Sequence, residues 1–313
     1  MCDFFNLLYA STGIGEEIEG LKQALGLARE SRAKMTVVLV YPALPKSMEA
    51  YAETFEASLL SQAETALQTT RAALDMKESE VTVKMDVESG GLPTAITIIR
   101  RVLRDGHDLV IKEAEPKEGN TGFGPTDMTL LRKCPCPVWL ARPIARSRQE
   151  VRVAVAISPE SRDEAEYELS LRLLRISRSL ADSCSGALDI VCCSDDQFEE
   201  YLRRNTRVAV PEDTIFGAMQ RVQNQHHAFL GRLIQDSGIA GIYHVNYLRG
   251  QVGKVIPNFV ETHAVDILVM GTVARSGILG FLIGNTAESI MTELRCSLLA
   301  LKPSSFVSPV KAD

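Results

Sequence analysis

A chain of 313 residues is long enough for two domains with separate cores, and its net charge of −6 leaves no broad basic surface for nonspecific nucleic-acid binding. Apolar runs stop near about ten residues, too short to span a bilayer, and Met1-Cys2-Asp3-Phe4 lacks the basic segment and apolar run of a signal peptide, so a cytoplasmic location is expected.

The first half reads as strands alternating with helices. Asn6–Ala10 is a short apolar strand, followed by a helix with Ile18, Leu21, Leu25 and Ala28 on one face. Met35–Tyr41 is a near-continuous β-branched run, as expected of a strand buried on both faces. A long helix carries Tyr51, Phe55, Leu59 and Ala66. Then come a strand over Val81–Val87, a helix over Ala95–Leu103, a strand over Leu109–Lys112, a helix over Asp127–Lys133 and a strand over Val138–Ala141. A linker, Arg142–Glu150, contains Pro143 and several basic residues. The second half repeats the order. Strands fall at Val151–Ile157, Leu188–Cys193, Ile242–Tyr247, Ile267–Gly271 and Leu298–Leu301. Helices carry Leu169 to Leu180, Glu212 to Gln235, Val255–Thr262 and Thr286–Leu294.

The recurrence extends to individual residues. His107-Asp108-Leu109-Val110-Ile111 is echoed by Val265-Asp266-Ile267-Leu268-Val269, and Cys136-Pro137-Val138-Trp139-Leu140 by Cys296-Ser297-Leu298-Leu299-Ala300. The offset of about 160 residues indicates one domain repeated in tandem. Two units are expected, over residues 1–145 and 150–313. Each is a five-stranded parallel sheet with helices on both faces. Ligands of such sheets bind beyond the carboxyl ends of the strands at a topological switch point, which directs attention to the segments after the first and fourth strand of each unit.

In the second unit the fourth strand runs into Gly271-Thr272-Val273-Ala274-Arg275, and a helix starts near Gly284-Asn285-Thr286-Ala287-Glu288, with Asn285 or Thr286 able to cap it. Glycine at 271 and 284 lets backbone approach an anion, and a helix N-terminus supplies free amides and a positive dipole end. Gly271, Thr272, Ala274, Gly284, Asn285 and Thr286 are therefore the candidate phosphate-binding residues. The apolar stretch Ile278–Ile283 reads as a contact with the other unit or a partner, or as the wall of a pocket for an acyl-bearing ligand.

This strand, Gly-x2-Gly-x9-Gly-Ser/Thr, helix, strand pattern resembles the nucleotide-binding signature of the universal stress protein family, and the whole chain is similar to its tandem, two-domain type. Gly271 and Gly284 stand at the first and third glycine positions, Ala274 at the second, and Asn285 at the Ser/Thr position. The resemblance implies an α/β fold like that of the adenine nucleotide alpha hydrolases, in two tandem five-stranded domains packed as a pseudo-dimer. It also implies pairing of Val138–Ala141 with Leu298–Leu301, with further homodimerisation open. ATP-binding members have an aspartate ending the first strand; the matching positions here are Ser11 and Ile157. In the first unit Glu113, Pro116 and Pro125 occupy motif positions, and proline supplies no N–H. The first unit is expected to be structural. The resemblance implies a stress-response protein that binds a phosphate-bearing or acyl-bearing ligand, or a partner, without catalysis. The alternative is ATP binding with slow hydrolysis in the second unit only.

The remaining features point to no chemistry. The seven cysteines lack the regular paired spacing of a zinc site and read as buried free thiols. Ser89-Gly90-Gly91-Leu92-Pro93-Thr94 reads as a strand-to-helix turn. His226 falls on the apolar stripe of its helix, next to His227, and reads as a packed or interface histidine. No Gly-x-Ser-x-Gly or His-Glu-x-x-His pattern occurs, and no metal site is expected.

Overall fold

The computed structural model describes residues 4–13, 18–115, 119, 121–161, 163–195, 197–204, 210–272 and 283–312. The first half comprises β1 (Asn6–Ser11), α1 (Ile18–Ser31), β2 (Lys34–Pro42), α2 (Ala52–Ala73), β3 (Val83–Gly90), α3 (Thr94–Asp105), β4 (Leu109–Glu113), α4 (Pro125–Lys133) and β5 (Val138–Ala141). The second comprises β6 (Val153–Ile157), α5 (Glu164–Asp182), β7 (Ala187–Ser194), α6 (Gln197–Arg204), α7 (Glu212–Ser237), β8 (Ile242–Arg249), α8 (Val252–Thr262), β9 (Ile267–Gly271), α9 (Asn285–Glu293) and β10 (Ser297–Leu301).

The strands form one sheet in the order β3-β2-β1-β4-β5-β10-β9-β6-β7-β8. Within each half all pairings are parallel, and the strand order of the second half mirrors that of the first. The halves join where β5 and β10 pair antiparallel, with Leu140 opposite Leu298 and Trp139 opposite Leu299. This is the pairing expected of a pseudo-dimer, and it removes two open sheet edges. The two five-stranded parallel sheets are thus continuous through one antiparallel seam.

Alternation along each strand feeds two cores. Leu7 and Tyr9 face α1 and α2, while Leu8 and Ala10 face α3 and α4. Val153 and Val155 likewise face α5 and α7, and Ala154 faces α8 and α9. Both cores run across the seam. Polar contacts reinforce it: Arg132 pairs with Glu288, the Gly122 amide donates to the Leu294 carbonyl at 2.9 Å, and the Arg142 amide donates to the Ser297 hydroxyl at 2.9 Å. The linker arginines are used in the same way. Arg146 donates to the Ala264 carbonyl at 2.9 Å, and Arg148 to the Ser183 carbonyl at 2.9 Å.

The elements differ from the sequence reading mainly at their ends. α8 begins at Val252, one turn earlier than the apolar periodicity indicates, with Pro257 inside it. α6 was not anticipated, because eight residues dominated by charged side chains give too short a pattern. Among the described residues no helix is long and apolar enough to cross a membrane.

Candidate functional site

In the second half the topological switch point lies between β6 and β9, which are neighbours whose connections leave in opposite directions. A cavity of about 600 Å³ opens there. Ser158, Pro159 and Glu160 after β6, Ser194 and Asp195 at the end of β7, and Gly271 at the end of β9 form its floor and rim. Gly284, Asn285 and Thr286 bring the start of α9 to it. Leu169 and Leu173 of α5, Ile256 of α8 and Ile290 of α9 supply apolar walls, and Val222 and His226 reach it from α7.

The structure brings four of the six sequence-predicted residues together. Gly284 occupies the cap position of α9 with φ −57° and ψ 141°, so Asn285 and Thr286 lie inside the first turn. Neither therefore caps the helix, contrary to the sequence reading: the preceding glycine, without a side chain, holds the cap position. Among the described residues no side chain caps α9, and Gly284, Asn285, Thr286 and Ala287 of its start line the cavity. Gly271 also lines the cavity, yet its lack of a side chain answers to packing. A Cβ there would lie 3.1 Å from the Leu169 side chain of α5. Thr272 does not line the cavity. It is buried, and both its amide (2.8 Å) and its hydroxyl (3.2 Å) donate to the Leu301 carbonyl of β10. Ala274 lies outside the described residues, as do Ile278–Leu282 of the apolar stretch; Ile283 is buried in the core.

Sequence reasoning missed the rim carboxylates Glu160, Glu166 and Asp195, and it placed His226 in packing rather than at a cavity. Their approach depends on helix crossings that local patterns do not encode. No lysine or arginine is among the described residues lining the cavity. Among the described residues, the amide end of α9 supplies positive potential there and the carboxylate rim negative potential. Among the described residues no group of three His, Cys, Asp or Glu could hold a metal ion.

The corresponding region of the first half is filled by its own side chains. Glu113, the last residue of β4, accepts from the Gly20 amide in the first turn of α1 at 3.0 Å. Glu115 accepts from the Thr126 amide in the first turn of α4 at 3.0 Å. Asp127, fully buried, accepts from the Glu115 amide at 2.7 Å and from the Lys112 ammonium at 3.0 Å. Burial pushes the Asp127 carboxyl above its ordinary value, against the opposing pull of Lys112. A Cβ on Gly124 would fall 1.9 Å from the Glu115 carboxylate, so this glycine makes room for the acid. Carboxylates thus stand at both helix starts facing the first switch point. Pro116 lies outside the described residues, and Pro125 opens α4, where a missing N–H costs nothing.

The Usp model, described as the universal stress protein family, matches residues 5–142 and again 163–302. Universal stress protein E of Photorhabdus laumondii is 27% identical over 319 aligned positions, covering 100% of this chain and 99% of that protein. Universal stress protein E of Escherichia coli K12 is 31% identical over 226 positions, covering 69% of this chain and 67% of that protein. Among solved structures, a functionally unknown protein of Pseudomonas aeruginosa superimposes with a TM-score of 0.70 at 21% identity, covering 96% of this chain and 94% of that one. A universal stress protein of Archaeoglobus fulgidus does so with a TM-score of 0.60 at 16% identity, covering 95% and 98%. These structural likenesses speak to the fold.

Proposed function

The chain belongs to the universal stress protein family, in both of its halves, and from that premise we propose that it serves the stress response by binding, without catalysis, a phosphate-bearing small ligand in its second half. The observation that carries this reading is the contrast between the switch points. In the second half a cavity of about 600 Å³ meets a helix start that no described side chain caps. In the first half carboxylates of the chain itself fill the equivalent position. Three or four aligned amides and a dipole end favour an anion at Gly284–Thr286. The apolar walls formed by Leu169, Leu173, Ile256 and Ile290 suit a ligand with a nonpolar or acyl portion. The rim carboxylates favour hydroxyl or amine donors on the remainder of the ligand.

ATP is the second reading, favoured by the cavity's volume. Against it stands Ile157, which ends β6 where an aspartate contacts adenosine in the ATP-binding pattern; it is buried and carries no acceptor. Location in the cytoplasm, and homodimerisation beyond the paired halves, belong to the same proposal.

Calorimetric titration of the full chain with inorganic phosphate, with an acylated sugar phosphate, and with ATP plus magnesium tests it. Binding of a phosphate-bearing compound, lost in Gly284→Trp while thermal unfolding stays unchanged, supports the site. Micromolar ATP binding with release of phosphate would replace the non-catalytic reading by the second one. Binding that persists undiminished in a folded Gly284→Trp protein would overturn the assignment of the site.

A further inference from the structure

Outside this cavity, the structure brings two thiols together at the base of the seam. Cys134 directly follows α4 and Cys136 precedes β5, with only Pro135 between them. Both are buried, both are free, and their sulfurs lie 3.5 Å apart. Lys302, the residue after β10, is itself buried and donates to the Cys134 carbonyl at 2.7 Å. An ammonium from the second half thus stands beside a dithiol of the first.

We propose that Cys134 and Cys136 form a reversible oxidation site that converts to an intrachain disulfide under attack by hydroperoxides. The approach of the sulfurs is local, since the cysteines are two apart, and an S–S bond of about 2.0 Å requires closing a gap of roughly 1.5 Å. In the first step the Cys134 thiolate attacks one peroxide oxygen. An S–O bond forms, the O–O bond breaks, and the departing hydroxide takes up the thiol's proton as water. In the second step the Cys136 sulfur attacks the sulfenic sulfur. The S–S bond forms, the S–O bond breaks, and hydroxide leaves as water with the second thiol's proton. Two thiols give up two electrons, and one peroxide becomes two waters.

The surroundings divide the roles. Burial alone would push the Cys134 thiol up, but the hydrogen bond from Cys136 and the charge of Lys302 bring it below the ordinary value. Cys136 is pushed up by that same hydrogen bond and by burial, which suits the resolving thiol. Elsewhere burial wins: it pushes Cys192 up to about 12, and Cys296 up to about 12 despite the opposing charge of Arg142. The C-terminal segment contacts the residues next to the pair. Phe306 stacks on the Lys302 ammonium at 4.8 Å, and Ser308 donates to the Lys133 carbonyl at 2.8 Å. A disulfide here would alter the turn that leads into β5, one side of the seam.

The test treats the full chain with hydrogen peroxide, unfolds it, alkylates free thiols and analyses peptides by mass spectrometry. The expected peptide carrying Cys134 and Cys136 has lost two hydrogens, escapes alkylation and recovers both thiols on reduction, while Cys192, Cys193 and Cys296 remain alkylatable. In Cys136→Ser the sulfenic acid is expected to persist and be trapped by dimedone at Cys134. Lys302→Met is expected to slow disulfide formation roughly tenfold, compared at conditions where thermal unfolding shows both proteins folded. Full alkylation of both thiols after peroxide, oxidation of Cys296 as fast as the pair, or an unchanged rate in folded Lys302→Met would overturn the proposal.

Discussion

If Glu115 acts as a built-in anion for α4, removing it and crowding it must be coupled perturbations. Glu115→Gly deletes an acceptor 3.0 Å from the Thr126 amide and a charge at the helix start; losing such a cap costs about 1–2 kcal/mol. Glycine is the right replacement, because even the Cβ of residue 115 would lie 2.7 Å from a Cβ at 124. Gly124→Ala keeps an allowed backbone, with φ −75°. It drives the Glu115 side chain out of place, however, since the new Cβ would sit 1.9 Å from its carboxylate oxygen. Its cost is therefore the same cap plus strain, about 1–3 kcal/mol. In the double variant the second cost largely disappears, giving a coupling of about 1 kcal/mol or more. Urea unfolding of the four proteins measures it. Glu115→Gly should also become stabilised by inorganic phosphate, by about 1.4 kcal/mol at ten times Kd, where the parent is unaffected. Strictly additive costs, together with no phosphate effect in Glu115→Gly, would refute the reasoning.

Two further outcomes follow from charged clusters in the first half. Lys112→Met leaves Asp127 buried without its counter-charge and is expected to cost about 3–5 kcal/mol; Lys112→Met with Asp127→Asn should recover most of it, and thermal unfolding that shows the double variant no better than the single would exclude a buried pair. Asp86 is held below its ordinary value of 3.8, because hydrogen bonds from Lys84 and Arg101 outweigh the upward push of burial. Its folded value lies under its unfolded one, so its stabilisation is present above about pH 3.8 and is lost as pH falls through the folded value. Asp86→Asn should thus weaken the protein at neutral pH and flatten the acid limb of its stability curve, and parallel curves for parent and variant in urea titrations would contradict the assignment.

Much of the fold is written in local patterns, because strands buried on both faces must be nearly all apolar. β4, β5 and β9 were legible for that reason, and β5 and β9 match to the residue. The pairing of β5 with β10 rested on the family resemblance; the strands themselves show only that each is apolar. The site was less legible because its residues converge from distant elements. Gly271 carries the look of a phosphate glycine, yet the atom that would crowd a Cβ there belongs to Leu169, about a hundred residues earlier. Thr272 looks like a loop donor but is spent on Leu301. Glu115 sits in no motif. Its role depends on how far a carboxylate reaches from the end of β4 to the Thr126 amide, a distance that only the folded loop defines.

The asymmetry between the halves has a thermodynamic content that the motif comparison alone lacks. Each half aims helix amides at its switch point, and such amides need an acceptor. In the first half the acceptor is covalently attached, so it acts at an effective concentration on the order of millimolar or higher. A free phosphate must compete with that carboxylate and also approach Glu113 and Asp127, whose charges oppose it. In the second half Asn285 and Thr286 are exposed, and among the described residues no side chain caps the helix they open. On the proposed reading, a phosphate that brings its own charge gains there the dipole energy that the first half already obtains from Glu115. Under the proposed reading, selectivity between the two copies therefore rests on side chains placed at a shared helix start, with Glu115, supported by Glu113 and Asp127, standing where the second half would take its ligand.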